Sequence, residues 1–115
     1  MNEDGELLPI ALDLGVARSG EITEGQREQL ESGIKMIMQI MLGASQAGIK
    51  FRPVTVRGTR NELSSFAATL GREKRYIEAY NKFGLDDPRT YKSKFRLSKA
   101  IKDFQRKTGL RWPFK

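Results

Sequence analysis

The chain has neither cysteine nor histidine among its 115 residues. Without cysteine, neither a disulfide framework nor a thiolate zinc site can form. Without histidine, the chain lacks the commonest general base, the commonest metal ligand and the usual protonation switch near neutral pH. Catalysis would depend on carboxylates, Lys, Tyr or Arg, and no convincing constellation of these groups stands out. We therefore expect a protein that is not an enzyme and that needs no metal or cofactor.

Long hydrophobic runs are also absent. The longest apolar stretch, Ile34–Leu42, contains Lys35 and Gln39 and is far too short to cross a bilayer. The first residues are acidic, whereas a secretory signal begins with a basic region. These features predict a cytoplasmic protein with no membrane partner.

Acidic residues become scarce in the second half of the chain. Residues 1–50 contain 4 Lys/Arg and 8 Asp/Glu, whereas residues 51–115 contain 17 Lys/Arg and 6 Asp/Glu. The length indicates a single domain, 1–115, with residues 1–6 expected to be disordered and 59–115 forming a basic helical half. Such an asymmetry of charge favours a polyanionic partner.

Periodicity predicts a mainly α, α+β fold with three principal helices and one short helix. It leaves open a two-stranded β-ribbon that pairs residues 8–14 with residues 50–57. Three helix starts carry capping signals, namely Thr23 with Gln26, Thr59 with Glu62, and Asp87 with Pro88. Three helix ends are predicted at Gly48, Gly84 and Gly109, each in a left-handed turn followed by an apolar residue that folds back. The predicted helices are 24–47, 60–83, a short one at 88–93 and a longer one at 95–107.

The first predicted helix, 24–47, is rich in methionine and apolar around much of its circumference. Leu30, Ile34, Ile37 and Met41 share one side, and only Ser32, Lys35, Gln39 and Gln46 keep the opposite side clearly polar. Three interpretations stay open: burial in the core, a homodimer interface, and an adaptable groove for a partner.

The last predicted helix has an apolar face and a basic face. Leu97, Ile101 and Phe104 lie on one side, and Lys99, Lys102 and Arg106 lie on the other. Several Lys/Arg on one surface can bind phosphates without reading the base sequence. The segment also resembles a helix–turn–helix in outline, with its turn at 93–97, although that turn lacks glycine. The predicted nucleic-acid-binding residues are Lys92, Lys94, Lys99, Lys102, Arg106, Arg111, Lys115 and Trp112.

Aromatic and acidic residues outside this helix admit simpler explanations. Leu110 is expected to be buried, and Trp112 to cover the edge of the core while still being able to stack on a ligand. A stripe along the second long helix, formed by Arg72, Tyr76, Tyr80 and Phe83, is best explained by packing against the next helix. Lys74 is expected to extend past apolar neighbours to solvent. Asp86 and Asp87 could seed a metal site, but Asp87 is better explained as a helix cap.

Two functions remain in view at this point. The first is a non-enzymatic nucleic-acid-binding accessory protein whose phosphate contacts are largely independent of sequence. The second is a protein–protein interaction module, an adaptor or inhibitor, that binds an acidic partner protein through the same basic residues. The sequence does not distinguish DNA from RNA.

Overall fold

A computed structural model of the chain describes residues 10–18, 20–43 and 54–114. These residues form a mainly α, α+β domain, as the periodicity predicts. Within them, no helix has the length and apolar content that a bilayer crossing requires. The elements in chain order are β1 (Ile10–Asp13), α1 (Glu24–Gly43), β2 (Val54–Arg57), α2 (Arg60–Phe83) and α3 (Pro88–Thr108).

The two strands form a parallel sheet in which Ile10 pairs with Val54 and Asp13 pairs with Arg57. The predicted pairing of the two segments is therefore confirmed within the described residues. Parallel strands need a long connection, and α1 lies within the crossover. Alternation along the first strand buries Ile10 and Leu12.

The helix α1 begins with the predicted capping box. The Thr23 N–H donates to Oε1 of Gln26 at 2.9 Å, and the Gln26 N–H donates to Oγ1 of Thr23 at 3.1 Å. Gly33 is buried and faces Leu12, so that a side chain at this position would collide with the leucine. The helix can therefore lie directly on β1. The predicted end of this helix at Ala47 and Gly48 lies outside the described residues.

Most of the apolar surface of α1 packs within this chain. Ile34, Ile37 and Met38 are buried, while Met36, Ile40 and Met41 are partly buried against the same core. Leu42 is 40% exposed. Core burial thus accounts for the centre of the helix, and the homodimer interface stays a prediction.

The helices α2 and α3 form an antiparallel hairpin with predicted caps at both starts. The side chain of Thr59 accepts from the Glu62 N–H, and Glu62 accepts from the Thr59 N–H. Asp87 caps α3 by accepting from the Arg89 N–H at 2.8 Å, ahead of Pro88. These local signals fix where each helix begins.

The prediction for the turn between these helices is wrong in conformation. Gly84 has φ 84° and ψ 170°, which lies outside the left-handed helical region. Leu85 accordingly does not fold back and is 54% exposed. At the end of α3, by contrast, Gly109 has φ 73° and ψ 6°, and Leu110 is buried, as predicted.

A single continuous helix replaces the predicted short helix at 88–93 and the longer helix at 95–107. The predicted turn at 93–97 is helical because neither proline nor glycine interrupts it. This overturns the outline resemblance to a helix–turn–helix.

The core of the hairpin is aromatic. Phe104 lies 5.2 Å from Trp112 and 6.0 Å from Phe66 between ring centroids. Phe114 lies 6.0 Å from Trp112 and is partly buried. The C-terminal segment therefore covers the hairpin and holds α3 in one orientation.

Candidate functional site

The helix α3 separates charge from apolar surface. Eight Lys or Arg lie along it, with Asp103 as its one acidic residue. Its buried side contains Leu97, Ile101 and Phe104, which join the core. The predicted binding residues on this helix, Lys92, Lys94, Lys99, Lys102 and Arg106, are all exposed.

Helical geometry gathers five exposed residues into one strip. At about 100° per residue, they fall within an arc of roughly 80° on the side opposite the core. The strip runs for about 22 Å along the axis. We call it the α3 outer face; its residues are Tyr91, Phe95, Lys99, Lys102 and Arg106.

Few of the cations on α3 are neutralised. Asp103 pairs with Arg106 at 2.7 Å and with Lys107 at 3.1 Å, and it accepts from the Ser65 hydroxyl at 2.9 Å. These contacts, the Ser65 hydrogen bond foremost, hold the pKa of Asp103 below its ordinary value. Across residues 10–18, 20–43 and 54–114, no carboxylate forms an ion pair with Lys92, Lys94, Arg96, Lys99 or Lys102.

The structure brings some predicted binding residues together and separates others. Lys99, Lys102 and Arg106 lie on the α3 outer face, and Lys92 lies beside it. Lys94 is displaced by about 100° from the middle of the strip. Arg111 pairs with Glu31 of α1 at 3.3 Å and so belongs to a different surface. Lys115 lies outside the described residues.

The predicted stacking role of Trp112 is contradicted by its burial. Its side chain is 1% exposed and sits among Phe66, Phe104 and Phe114. The indole N–H donates to Oε1 of Glu73 at 2.9 Å. Burial raises the pKa of Glu73, and the indole hydrogen bond opposes part of that effect. Trp112 packs against the buried side of α3 and has no exposed ring face on which a ligand could stack.

Two aromatic residues missing from the predicted site lie on its surface. Tyr91 is 57% exposed and Phe95 is 62% exposed. The Lys99 ammonium lies 4.9 Å from the centre of the Phe95 ring. Tyr91 and Phe95 are four residues apart, a spacing that places two side chains on the same face of a helix. The predicted break at 93–97 assigned them to separate helices, so this common face was missed.

The end of the hairpin away from the core concentrates exposed apolar groups. Six large apolar residues are exposed in the described part of the chain, and four lie between positions 80 and 95. The Arg89 guanidinium lies 3.5 Å from the centre of the Phe83 ring and also pairs with Asp87. These contacts hold the turn between α2 and α3 closed, and Asp87 neutralises the charge of Arg89. The four exposed residues are Tyr80, Leu85, Tyr91 and Phe95.

Asp87 and Lys74, two of the remaining candidate groups, have structural partners. Asp87 caps α3 and pairs with Arg89, whose guanidinium holds the pKa of Asp87 below its ordinary value. Lys74 pairs with Glu78 at 3.5 Å on the surface of α2. In the described part of the chain, no three carboxylates are grouped to hold a metal ion.

A scan of family models, a search of curated proteins and a search of solved structures each found no match to this chain.

Proposed function

We propose that this protein is a non-enzymatic nucleic-acid-binding accessory protein that contacts phosphates through the α3 outer face. The observation that carries the proposal is that Lys99 and Lys102 on this rigid surface, and Lys92 beside it, form no ion pair among the described residues. A cation that is already ion-paired would have to lose its partner before it could bind a phosphate.

The apolar side of α3 supplies the rigidity. Leu97, Ile101 and Phe104 anchor the helix in the core, so its cations keep a fixed spacing. Neutralisation of phosphates releases counterions and gives affinity that falls with salt. Lysine reports phosphate position and carries little information on base identity. Binding is therefore expected to depend weakly on base sequence.

The experiment is a fluorescence-anisotropy titration with labelled duplex DNA, single-stranded DNA and RNA at several salt concentrations. One phosphate contact for each of Lys92, Lys99 and Lys102 predicts a slope of log affinity against log salt of about −2 to −3 on duplex DNA. Lys99→Glu combined with Lys102→Glu should weaken binding to every probe and make that slope about two units shallower. The matched control is Lys35→Glu on the exposed side of α1, which should leave binding unchanged. Affinity that does not vary with salt would refute the proposal.

A second candidate is an adaptor or inhibitor that binds an acidic protein partner. The exposure of Leu85 favours it, since an aliphatic side chain has no evident counterpart in a phosphate backbone. This candidate is supported if no oligonucleotide binds at low salt and a stoichiometric partner survives nuclease treatment. Loss of that partner after Lys99→Glu with Lys102→Glu would place it on the same face.

A further inference from the structure

The α3 outer face is more than a cationic strip, because its N-terminal half is aromatic. Tyr91 and Phe95 are among the most exposed large apolar residues in the described chain. The other cations of the face, Lys102 and Arg106, continue the same line toward the end of the helix. A ligand lying along α3 would therefore meet rings and cations in succession.

The spacing of the rings constrains what can stack on them. Residues four apart lie about 40° apart around the helix and about 6 Å apart along its axis. Bases in a duplex strand follow one another at about 3.4 Å and hide their faces in the stack. Tyr91 and Phe95 can each accept a base only from a strand whose bases are unstacked.

Phosphate neutralisation is available next to the stacking surface. The Lys99 ammonium lies over one face of the Phe95 ring, 4.9 Å from its centre. A nucleotide whose base stacks on the other face of that ring would carry its phosphate within reach of this cation. Interleaved aromatic and basic side chains are the arrangement by which proteins bind single strands without sequence preference.

We propose that the α3 outer face binds single-stranded nucleic acid, with unpaired bases stacked on Tyr91 and Phe95 and phosphates held by Lys99 and Lys102. This proposal rests on the proposed function and adds the class of substrate to it. The α3 helix of a second copy is a poor occupant of the face, because eight Lys or Arg against one acid on each helix would repel. A duplex would present only its backbone to the two rings.

The test compares three probes of about 12 nucleotides with the full-length protein: oligo-dT, an abasic chain of equal length, and duplex DNA. The abasic chain retains the phosphates and lacks the bases. Wild-type protein should bind oligo-dT at least about tenfold more tightly than the abasic chain. Phe95→Ala should weaken oligo-dT binding about tenfold and change abasic and duplex binding by less than about twofold.

Two further variants separate stacking from hydrophobic contact. Phe95→Leu keeps an apolar side chain without a π face and should behave like Phe95→Ala, whereas Phe95→Trp should restore or strengthen oligo-dT binding. Because Phe95 is exposed, all three variants should retain the thermal unfolding midpoint of the wild type. Equal affinity for oligo-dT and the abasic chain, with Lys99→Glu and Lys102→Glu still weakening both, would overturn this inference and leave the proposed function standing. If the wild-type protein showed no salt-sensitive binding to any of the three probes, the proposed function itself would be refuted.

Discussion

The indole N–H of Trp112 donates a hydrogen bond to Oε1 of Glu73 at 2.9 Å, between two side chains that are 1% and 4% exposed. The contact joins the C-terminal segment to the middle of α2. It also places a carboxyl group against an aromatic core, where its charged form is poorly solvated. Glu73 is thus a structural residue whose ionisation opposes folding.

Glu73→Gln is expected to stabilise the protein at neutral pH. Burial raises the pKa of Glu73 above its ordinary value of 4.5, so the folded state holds the proton more tightly than the unfolded state. Stability therefore falls as pH rises from 4.5 through the raised pKa. The amide oxygen of glutamine can still accept from Trp112 without a charge, which predicts a gain of roughly 1 kcal/mol at pH 7.

Urea unfolding followed between pH 3 and pH 8 measures this effect. The variant and the wild type should converge at acidic pH and separate as the pH rises. Glu78→Gln, an exposed change on the same helix, should alter stability by less than about 0.5 kcal/mol throughout. A Glu73→Gln protein less stable than the wild type at pH 7 would show that the carboxylate itself is required.

Arg18 and Glu62 provide the opposite case. The Arg18 Nε donates to Oε2 of Glu62 at 3.1 Å, and a second nitrogen of the guanidinium donates to Oε1. Glu62 also accepts from the Thr59 N–H at 2.8 Å. The pair connects the turn after β1 to the start of α2, and the Arg18 hydrogen bond lowers the pKa of Glu62.

Arg18→Ala should destabilise the protein at pH 7, because it leaves the buried Glu62 carboxylate without its cation. Because the Glu62 pKa is lowered, the stability from this pair is present above 4.5 and is lost as pH falls through the folded-state pKa. The difference between wild type and variant should therefore shrink in acid. Urea unfolding from pH 7 to pH 2 checks this, with Arg75→Ala on the exposed side of α2 as the control. A difference that stays constant across this range would mean that the pair contributes nothing through charge.

Local signals in the sequence correctly predicted the starts of α1, α2 and α3 and the left-handed end of α3 at Gly109. The capping boxes at Thr23 and Thr59 and the left-handed Gly109 each depend on residues within one helical turn. The spacing of apolar residues within a few turns also predicted which side of α3 is buried, and Leu97 and Phe104 are buried as expected. What the sequence could not supply was the identity of partners that lie far along the chain.

The buried polar residues of α2 illustrate this limit. Glu62, Ser65 and Glu73 are buried although their residue types favour solvent. Their partners Arg18, Asp103 and Trp112 lie 44, 38 and 39 positions away. Periodicity alone cannot indicate that a carboxylate or hydroxyl will be satisfied by such a distant group.

The candidate site was limited by one error in secondary structure. The predicted break put Tyr91 on a different helix from Phe95 and Lys99, so the aromatic half of the α3 outer face was not predicted. The absence of glycine and proline between Ser93 and Leu97 favours a continuous helix. The predicted stacking role of Trp112 was wrong for a different reason. Its neighbours in sequence include basic residues, whereas its neighbours in space are aromatic.

Replacing Asp103 is expected to change nucleic-acid affinity in the opposite direction to Lys99→Glu and Lys102→Glu. It is the one acidic residue of this helix and neutralises Arg106 and Lys107. Asp103→Asn keeps an oxygen that can accept from Ser65, so the contact between α2 and α3 can persist. The change releases Arg106 on the α3 outer face and the adjacent Lys107.

Asp103→Asn is therefore expected to tighten nucleic-acid binding about threefold to tenfold at low salt and to steepen the salt slope by about one unit. The loss of these exposed ion pairs should have little effect on stability. Glu78→Gln removes the same charge from α2 and frees Lys74, away from the face, and should change affinity by at most about twofold. Equal tightening by both variants would indicate a response to net charge alone, whereas a selective effect of Asp103→Asn locates the bound phosphates along α3.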